Sequence, residues 1–256
     1  MFLYKNNKNY IYKCFINTGI IKPEDIVNNS HCMTPKFMQS QINLSLTNLK
    51  LDCLDLYYLH NPEHELPIIG EEEFYHRITR VFEVFEQNVA DGKIKRYGIA
   101  TWDGFRQGFG APNRIDLAKV IRCAEQVAGD NHHFKAIQLP YNLAMLEGVG
   151  IPSQKVDGNE LPIIAAAAHH GIHVMISAPL MQSNVLKIPE RIYKDMPGES
   201  TAAQKALQFV LSSPGVTSAM VGMKSVEHAK ENLAVLEMEN WGVGDLQKIA
   251  QSVTVG

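Results

Sequence analysis

Short apolar runs alternate with segments of helical periodicity from residue 35 to residue 253, and that order allows few folds. Met38, Ile42, Ser45, Leu46 and Leu49 recur at helical spacing behind Thr34-Pro35, an N-cap followed by Pro at the first helical position. The spacing predicts a helix over 35–49. Cys53-Leu54-Asp55-Leu56-Tyr57-Tyr58-Leu59 reads as a buried strand. Phe74, Ile78, Val81, Phe82, Phe85 and Val89 mark a helix over 71–90, ended by Asp91-Gly92. Further strands are expected at 97–101, 136–139, 173–177 and 218–221. Helices are expected at 115–127, 161–169, 202–211, 226–236 and 245–253.

Strands that are mostly apolar, each followed by a helix, belong to a parallel sheet covered on both faces, an α/β fold. A doubly wound dinucleotide-binding sheet would carry G-x-G-x-x-G after its first strand. Only Gly148-Val149-Gly150 and Gly242-Val243-Gly244 approach that pattern, and neither joins a strand to a helix. His60, Thr101, Gln138, Ser177 and Gly222 instead follow the C-terminal ends of consecutive strands, where a (β/α)8 barrel keeps its active site. The 256 residues, 45% of them hydrophobic, match the length of such a TIM barrel. Five βα units are readable where closure needs eight, so the expected fold is an incomplete (β/α)8 barrel with strands one to three missing. Residues 1–256 read as a single domain, with 1–34 an irregular segment rich in Asn, Lys and Tyr.

A net charge of −3 without long charged runs gives no surface for nucleic acid. Cys14, Cys32, Cys53 and Cys123 lie far apart with no C-x-x-C pair, which fits a reducing, cytoplasmic setting and neither a disulfide framework nor a zinc site. No apolar run is long enough for a membrane span, and Met1–Lys8 lacks the apolar centre of a signal peptide. His169-His170-x-x-His173 resembles a metal cluster in writing. It spans a helix end, Gly171 and a strand start, so the rings should point apart and no metal is expected.

His60 admits two readings, a histidine closing a strand end or a group that hydrogen-bonds a substrate carbonyl. Asp52-Cys53-Leu54-Asp55-Leu56-Tyr57-Tyr58-Leu59-His60-Asn61-Pro62-Glu63 resembles the fourth-strand signature of aldo-keto reductases. Lys93 to Thr101, Ile137 to Asn142, Ser177-Ala178-Pro179-Leu180 and Val221 to Leu233 follow in family order, so the resemblance covers roughly residues 16–238. It implies a barrel that binds NADPH, or NADH less well, at its C-terminal rim and passes hydride to an aldehyde or ketone. A tyrosine donates the proton in that family, with a lysine and an aspartate lowering its pKa, because a phenol near pKa 10 is poorly matched to neutral pH.

By the same resemblance His60 is the carbonyl-orienting histidine. Thr101 and Trp102 stand where a Ser-Asn pair grips the nicotinamide carboxamide, so only a hydroxyl is kept, and Gln138 matches the carboxamide-binding glutamine. Ser177 replaces the aromatic ring that stacks on the nicotinamide. Pro179, Leu180 and Gln182 lie in the loop lining the diphosphate, and Gly222 and Met223 begin the phosphate-contacting turn. His228, Glu231 and Asn232 match adenosine contacts, although a capped, charged helix start explains the same residues. The aspartate, tyrosine and lysine have no counterpart at family spacing. Tyr4, Lys5, Lys8, Tyr10, Tyr12 and Lys13 sit in the irregular segment and are expected to be solvated. Two outcomes follow: a reductase chain missing its front end, or a truncated remnant that binds cofactor without turnover or serves as an interaction module. Open barrel edges would favour self-association. The substrate, a small carbonyl compound, is set by loops such as 144–158 and 183–199, which carry no readable motif.

Overall fold

Five of the apolar runs pair into one parallel sheet. The computed structural model describes residues 8–255, the side chains of Lys8 and Val255 excepted. Its strands are β1 (Tyr57–His60), β2 (Tyr97–Ala100), β3 (Phe134–Pro140), β6 (His173–Ser177) and β7 (Val216–Ala219), adjacent in that order. β4 (Pro152–Val156) and β5 (Asn159–Pro162) form a separate antiparallel hairpin between β3 and β6. The helices are α1 (Lys8–Ile11), α2 (Pro35–Leu49), α3 (Leu66–Ile69), α4 (Glu71–Ala90), α5 (Leu117–Ala128) and α6 (Glu147–Gly150). They continue with α7 (Ile163–His169), α8 (Glu190–Lys194), α9 (Ala202–Ser212), α10 (Val226–Leu233) and α11 (Val243–Val255).

The helix-facing side of the sheet carries Leu59, Ile99, Ile137, Leu139, Val174 and Ile176, all fully buried. Phe82 and Phe85 of α4 close on Tyr97, with Phe82 stacked on Phe134 at 5.5 Å between centroids, so one aromatic layer joins α4 to β2 and β3. Gly98 makes the sheet close here. A Cβ at this position would lie 2.3 Å from the Ala136 carbonyl oxygen and 2.8 Å from the Tyr58 ring.

Helical periodicity located α2 and α4 to the residue. Three expectations need correction. Residues 8–34 are not irregular throughout: α1 continues into a π-helical turn at Tyr12–Ile16, a 3-10 turn spans Pro23–Asp25, and Val27 bridges His31. Ile11, Phe15, Ile21, Cys32 and Met33 are buried in the common core, because scattered apolar residues here find partners on α2 rather than within a local repeat. Leu161, expected to be helical, belongs to β5. The loop expected at 144–158 contains α6 and β4, and a turn at Asp157-Gly158, both at positive φ, joins the hairpin.

Candidate active site

Register brings His60, Gln138 and Ser177 to one rim. His60 pairs Ala100, Ala100 pairs Gln138 and Gln138 pairs Met175, one row across four strands. Side chains alternate along a strand. Tyr58, His60, Gln138, Met175 and Ser177 therefore share the face opposite the helices, and it is the more open of the two. His60 and Gln138 are two strands apart, about 10 Å at the usual strand spacing.

The His60-Asn61-Pro62-Glu63 turn works as a staple. Asn61 takes a left-handed conformation (φ 49°) and donates its amide to Ala100 O at 2.6 Å. Pro62 then opens a 3-10 turn over Pro62–His64. The turn swings Glu63 inward, 1% exposed, where its Oε1 accepts the backbone amides of Trp102 (2.8 Å) and Asp103 (3.2 Å). Gly104 permits the approach, since a Cβ there would meet Glu63 Cβ at 2.9 Å. Burial raises the Glu63 pKa against the pull of those amides. Two residues on, the fully buried Glu65 turns the other way, to His31 and Arg77. The His60 ring edge reaches solvent, yet desolvation of the rest, helped by His31 and His64, lowers its pKa to about 4.

Thr101 donates its amide to Gln138 O (2.8 Å), which closes the rim between β2 and β3. Its hydroxyl is buried without a partner among the described residues, whereas Trp102 is 45% exposed. Buried Arg106 braces the loop that follows, donating to Trp102 O (2.8 Å) and pairing with Asp103 (2.9 Å) and Glu147 (2.7 Å).

Beyond β6 the chain enters the left-handed region at Ala178, Met181, Gln182 and Ser183. Four non-glycine residues in that state within six positions store strain, which clusters at functional loops. Asn142, fully buried after β3, holds this loop through Nδ2 to Ala178 O at 2.9 Å. Ser177 and Leu180 are half-buried, Pro179 is buried and Gln182 is exposed. Gly222 and Met223 follow β7 in the open, and Ser225 caps α10 by accepting the His228 amide at 3.2 Å. His228 is exposed. Glu231 is taken up internally by the Thr201 hydroxyl (2.6 Å), and Asn232 is buried, so these two are not gathered to the rim with the others.

Sequence reasoning passed over His31, Tyr58, Glu63, Glu65, Arg106 and Asn142. Strand alternation would have put Tyr58 on the His60 face; nothing local announces His31. Tyr4 and Lys5, and the side chain of Lys8, lie outside the described residues, and Tyr10, Tyr12 and Lys13 are exposed. His169 pairs with Asp157 at 3.2 Å, and among the described residues no cluster could hold a metal ion. No helix among them is long and apolar enough to cross a membrane. An apolar cavity of about 760 Å³ between Tyr141, Phe209 and α11 contains none of the predicted site residues.

The sequence matches the profile of the Aldo/keto reductase family over residues 2–250, a wider span than the motifs alone suggest. It is 22% identical over 236 residues to aldo-keto reductase yakc (NADP(+)) of Schizosaccharomyces pombe, across 80% of this chain and 59% of that protein. It is 21% identical over 232 residues to uncharacterized oxidoreductase YrpG of Bacillus subtilis, across 86% of this chain and 64% of that protein. The chain thus spans about three fifths of the length of these curated relatives. Among solved structures, aldo-keto reductase AKR11C1 from Bacillus halodurans, in its holo form, superposes with TM-score 0.59 at 18% identity, over 87% of this chain and 68% of its own. An aldo/keto reductase from Klebsiella pneumoniae in complex with NADP and acetate gives 0.59 at 24% identity, over 84% and 64%. In fold and in a profile match that runs almost end to end, this chain belongs to the aldo/keto reductase family.

Proposed function

We propose that the protein reduces a small aldehyde or ketone with NADPH, or NADH less efficiently, and that His60 orients the carbonyl. The observation that carries this reading is the shared register row and face of His60 and Gln138, with Thr101, whose buried hydroxyl has no partner among the described residues, following the strand between theirs. A buried hydroxyl lacking a partner suits a ligand amide. Gln138 and Thr101 would hold the carboxamide beside exposed Trp102 and half-buried Ser177; Pro179, Leu180, Gln182, Gly222 and Met223 would flank the diphosphate, and exposed His228 the adenosine end, with Glu231 and Asn232 lying behind it. Open space where a Gly222 Cβ would stand accords with that. The solved Klebsiella pneumoniae relatives carry NADP or NADPH, which favours the phosphorylated cofactor. When bound, the cofactor supplies hydride. His60, with its pKa lowered to about 4, stays neutral at physiological pH and hydrogen-bonds the carbonyl without protonating it.

Proton donation separates two readings. Among the described residues, Tyr58 lies on the His60 face of the sheet, and burial raises its pKa, the reverse of what a general acid needs. Tyr10 and Tyr12 are exposed. A second reading is a chain that binds cofactor without turning it over, since losing general acid catalysis costs about 10²–10⁴ in rate. In family terms we take β1 as strand four of a (β/α)8 barrel, with strands one to three and the aspartate, tyrosine and lysine belonging elsewhere. We also propose self-association at the sheet ends, where β1 and β7 pair on one side only among the described residues.

Fluorescence titration with NADPH, followed by NADPH consumption with a generic aldehyde, tests both readings. Binding that weakens in Thr101→Val and Gln138→Ala is expected. Turnover sinks the remnant, binding without turnover sinks the reductase, and no binding sinks both the reductase and a cofactor-binding remnant.

A further inference from the structure

The rim histidine is held from behind by a residue 29 positions earlier in the chain. His31 Nε2 lies 3.0 Å from the backbone oxygen of His60, and its Nδ1 lies 2.6 Å from Glu65 Oε1. A carbonyl oxygen only accepts, so Nε2 carries a hydrogen and donates. With Nε2 protonated, the neutral ring presents a lone pair at Nδ1, and a 2.6 Å approach to a carboxylate oxygen then requires a second proton between the two atoms. Both side chains are fully buried, which makes an unshared lone pair against a carboxylate untenable. Arg77, partly exposed, donates to the other Glu65 oxygen at 2.9 Å and to Glu73 at 2.7 Å, so the assembly has a cation at its outer end.

We propose that His31 and Glu65 form a buried proton-sharing pair that positions His60, fixing the backbone at the end of β1 and thereby the aim of the imidazole. The inference rests on the reading of His60 as the carbonyl-orienting group. Three features support a positioning role. The pair grips the last residue of β1 at the strand's outer edge, while Asn61 donates to Ala100 on the β2 side, so the backbone at His60 and Asn61 is anchored from both directions. Glu65 belongs to the same turn as His60 and Glu63, so one short segment carries the aimed ring, the tie to the β2 loop and the tie to His31. His31 itself sits at the antiparallel bridge with Val27 and precedes the buried Cys32 and Met33, so its backbone is anchored in the core. Burial pulls the His31 pKa down and the Glu65 bond pulls it back. The shared proton stays with the pair whichever atom formally holds it, because the carbonyl demands a donor at Nε2.

The test uses the full chain with ¹⁵N-labelled histidine. Long-range ¹H–¹⁵N spectra should show His31 Nε2 protonated at neutral pH and a strongly downfield proton between Nδ1 and Glu65. An Nε2 without a proton overturns the proposal, and this readout needs no variant. His31→Phe should lower kcat about 10²-fold, the scale of a 1 Å misplacement, with NADPH affinity unchanged. It should also raise the His60 titration, because burial is the main cause of its depression and a ring no longer held by its backbone is less buried. Glu65→Gln, whose amide donates to Nδ1 and leaves Nε2–H on the carbonyl, should restore near-parental behaviour. Unchanged kcat and His60 titration in folded His31→Phe, or equal loss in both variants, overturns it. If the unmodified chain turns over no carbonyl, the reductase reading fails, while the spectra and the His60 titration still decide the pairing.

Discussion

Glu63 shows how much of the rim depends on single side chains. Its carboxylate receives two amides from the loop after β2 but is buried to 1% exposure, and burial raises its pKa above the usual carboxylate value. A carboxyl raised on folding binds an extra proton in the folded state above the unfolded pKa, so stability falls as pH rises through that window. Glu63→Gln cannot ionise and keeps an oxygen for the Trp102 and Asp103 amides. It should match or exceed the parent in urea midpoint at pH 7 and lose that advantage at low pH. Glu63→Ala should cost about 1–3 kcal/mol at either pH, because it strands two buried donors. A Glu63→Gln chain that is weaker at neutral pH than at low pH would show the ionised carboxylate to be favourable here. The identity of His60 as a rim residue was readable from the strand before it and the Asn-Pro after it. The roles of Glu63 and Glu65 were not, because their directions depend on the left-handed turn at Asn61 and on partners 39 positions ahead and 34 behind.

Among elements, the β1–β2–β3 contact depends on one missing side chain. Gly98→Ala would drive a methyl into the Ala136 carbonyl at 2.3 Å, a backbone atom that cannot step aside. Overpacking of this kind costs about 1–3 kcal/mol, read as a lower thermal midpoint. The row joining His60, Ala100 and Gln138 should loosen as well, with weaker NADPH binding; an unchanged midpoint would mean that β2 and β3 separate freely. Element positions were largely legible where a period repeated, as in α2 and α4. The β4–β5 hairpin was missed because its strands are short and only Asp157-Gly158 marks the turn. The helical segment at 8–16 was missed because its buried residues, Ile11 and Phe15, are too few to display a period.

At the scale of the whole molecule the sheet has two outer strands, and large apolar side chains lie exposed beyond β7, among them Val226 at 65% and Leu236 at 70%. Large exposed apolar side chains of this kind are the first place to test for association. Sedimentation should show a mass that rises with concentration, and Val226→Lys with Leu236→Lys should shift it toward the 28.6 kDa chain; a strictly monomeric parent would remove this proposal. What the sequence by itself determined was the order of strands and helices, the parallel class of the sheet and the strand ends that carry His60, Thr101, Gln138 and Ser177. Those follow from periodicity, which is local. The tertiary structure alone decided that residues 8–34 enter the core, that Glu231 bonds Thr201 while Gln138 shares a row with His60, and that His31 stands behind the rim histidine. Those depend on which buried polar atoms must find partners across long separations, and no pattern of neighbouring residues encodes that.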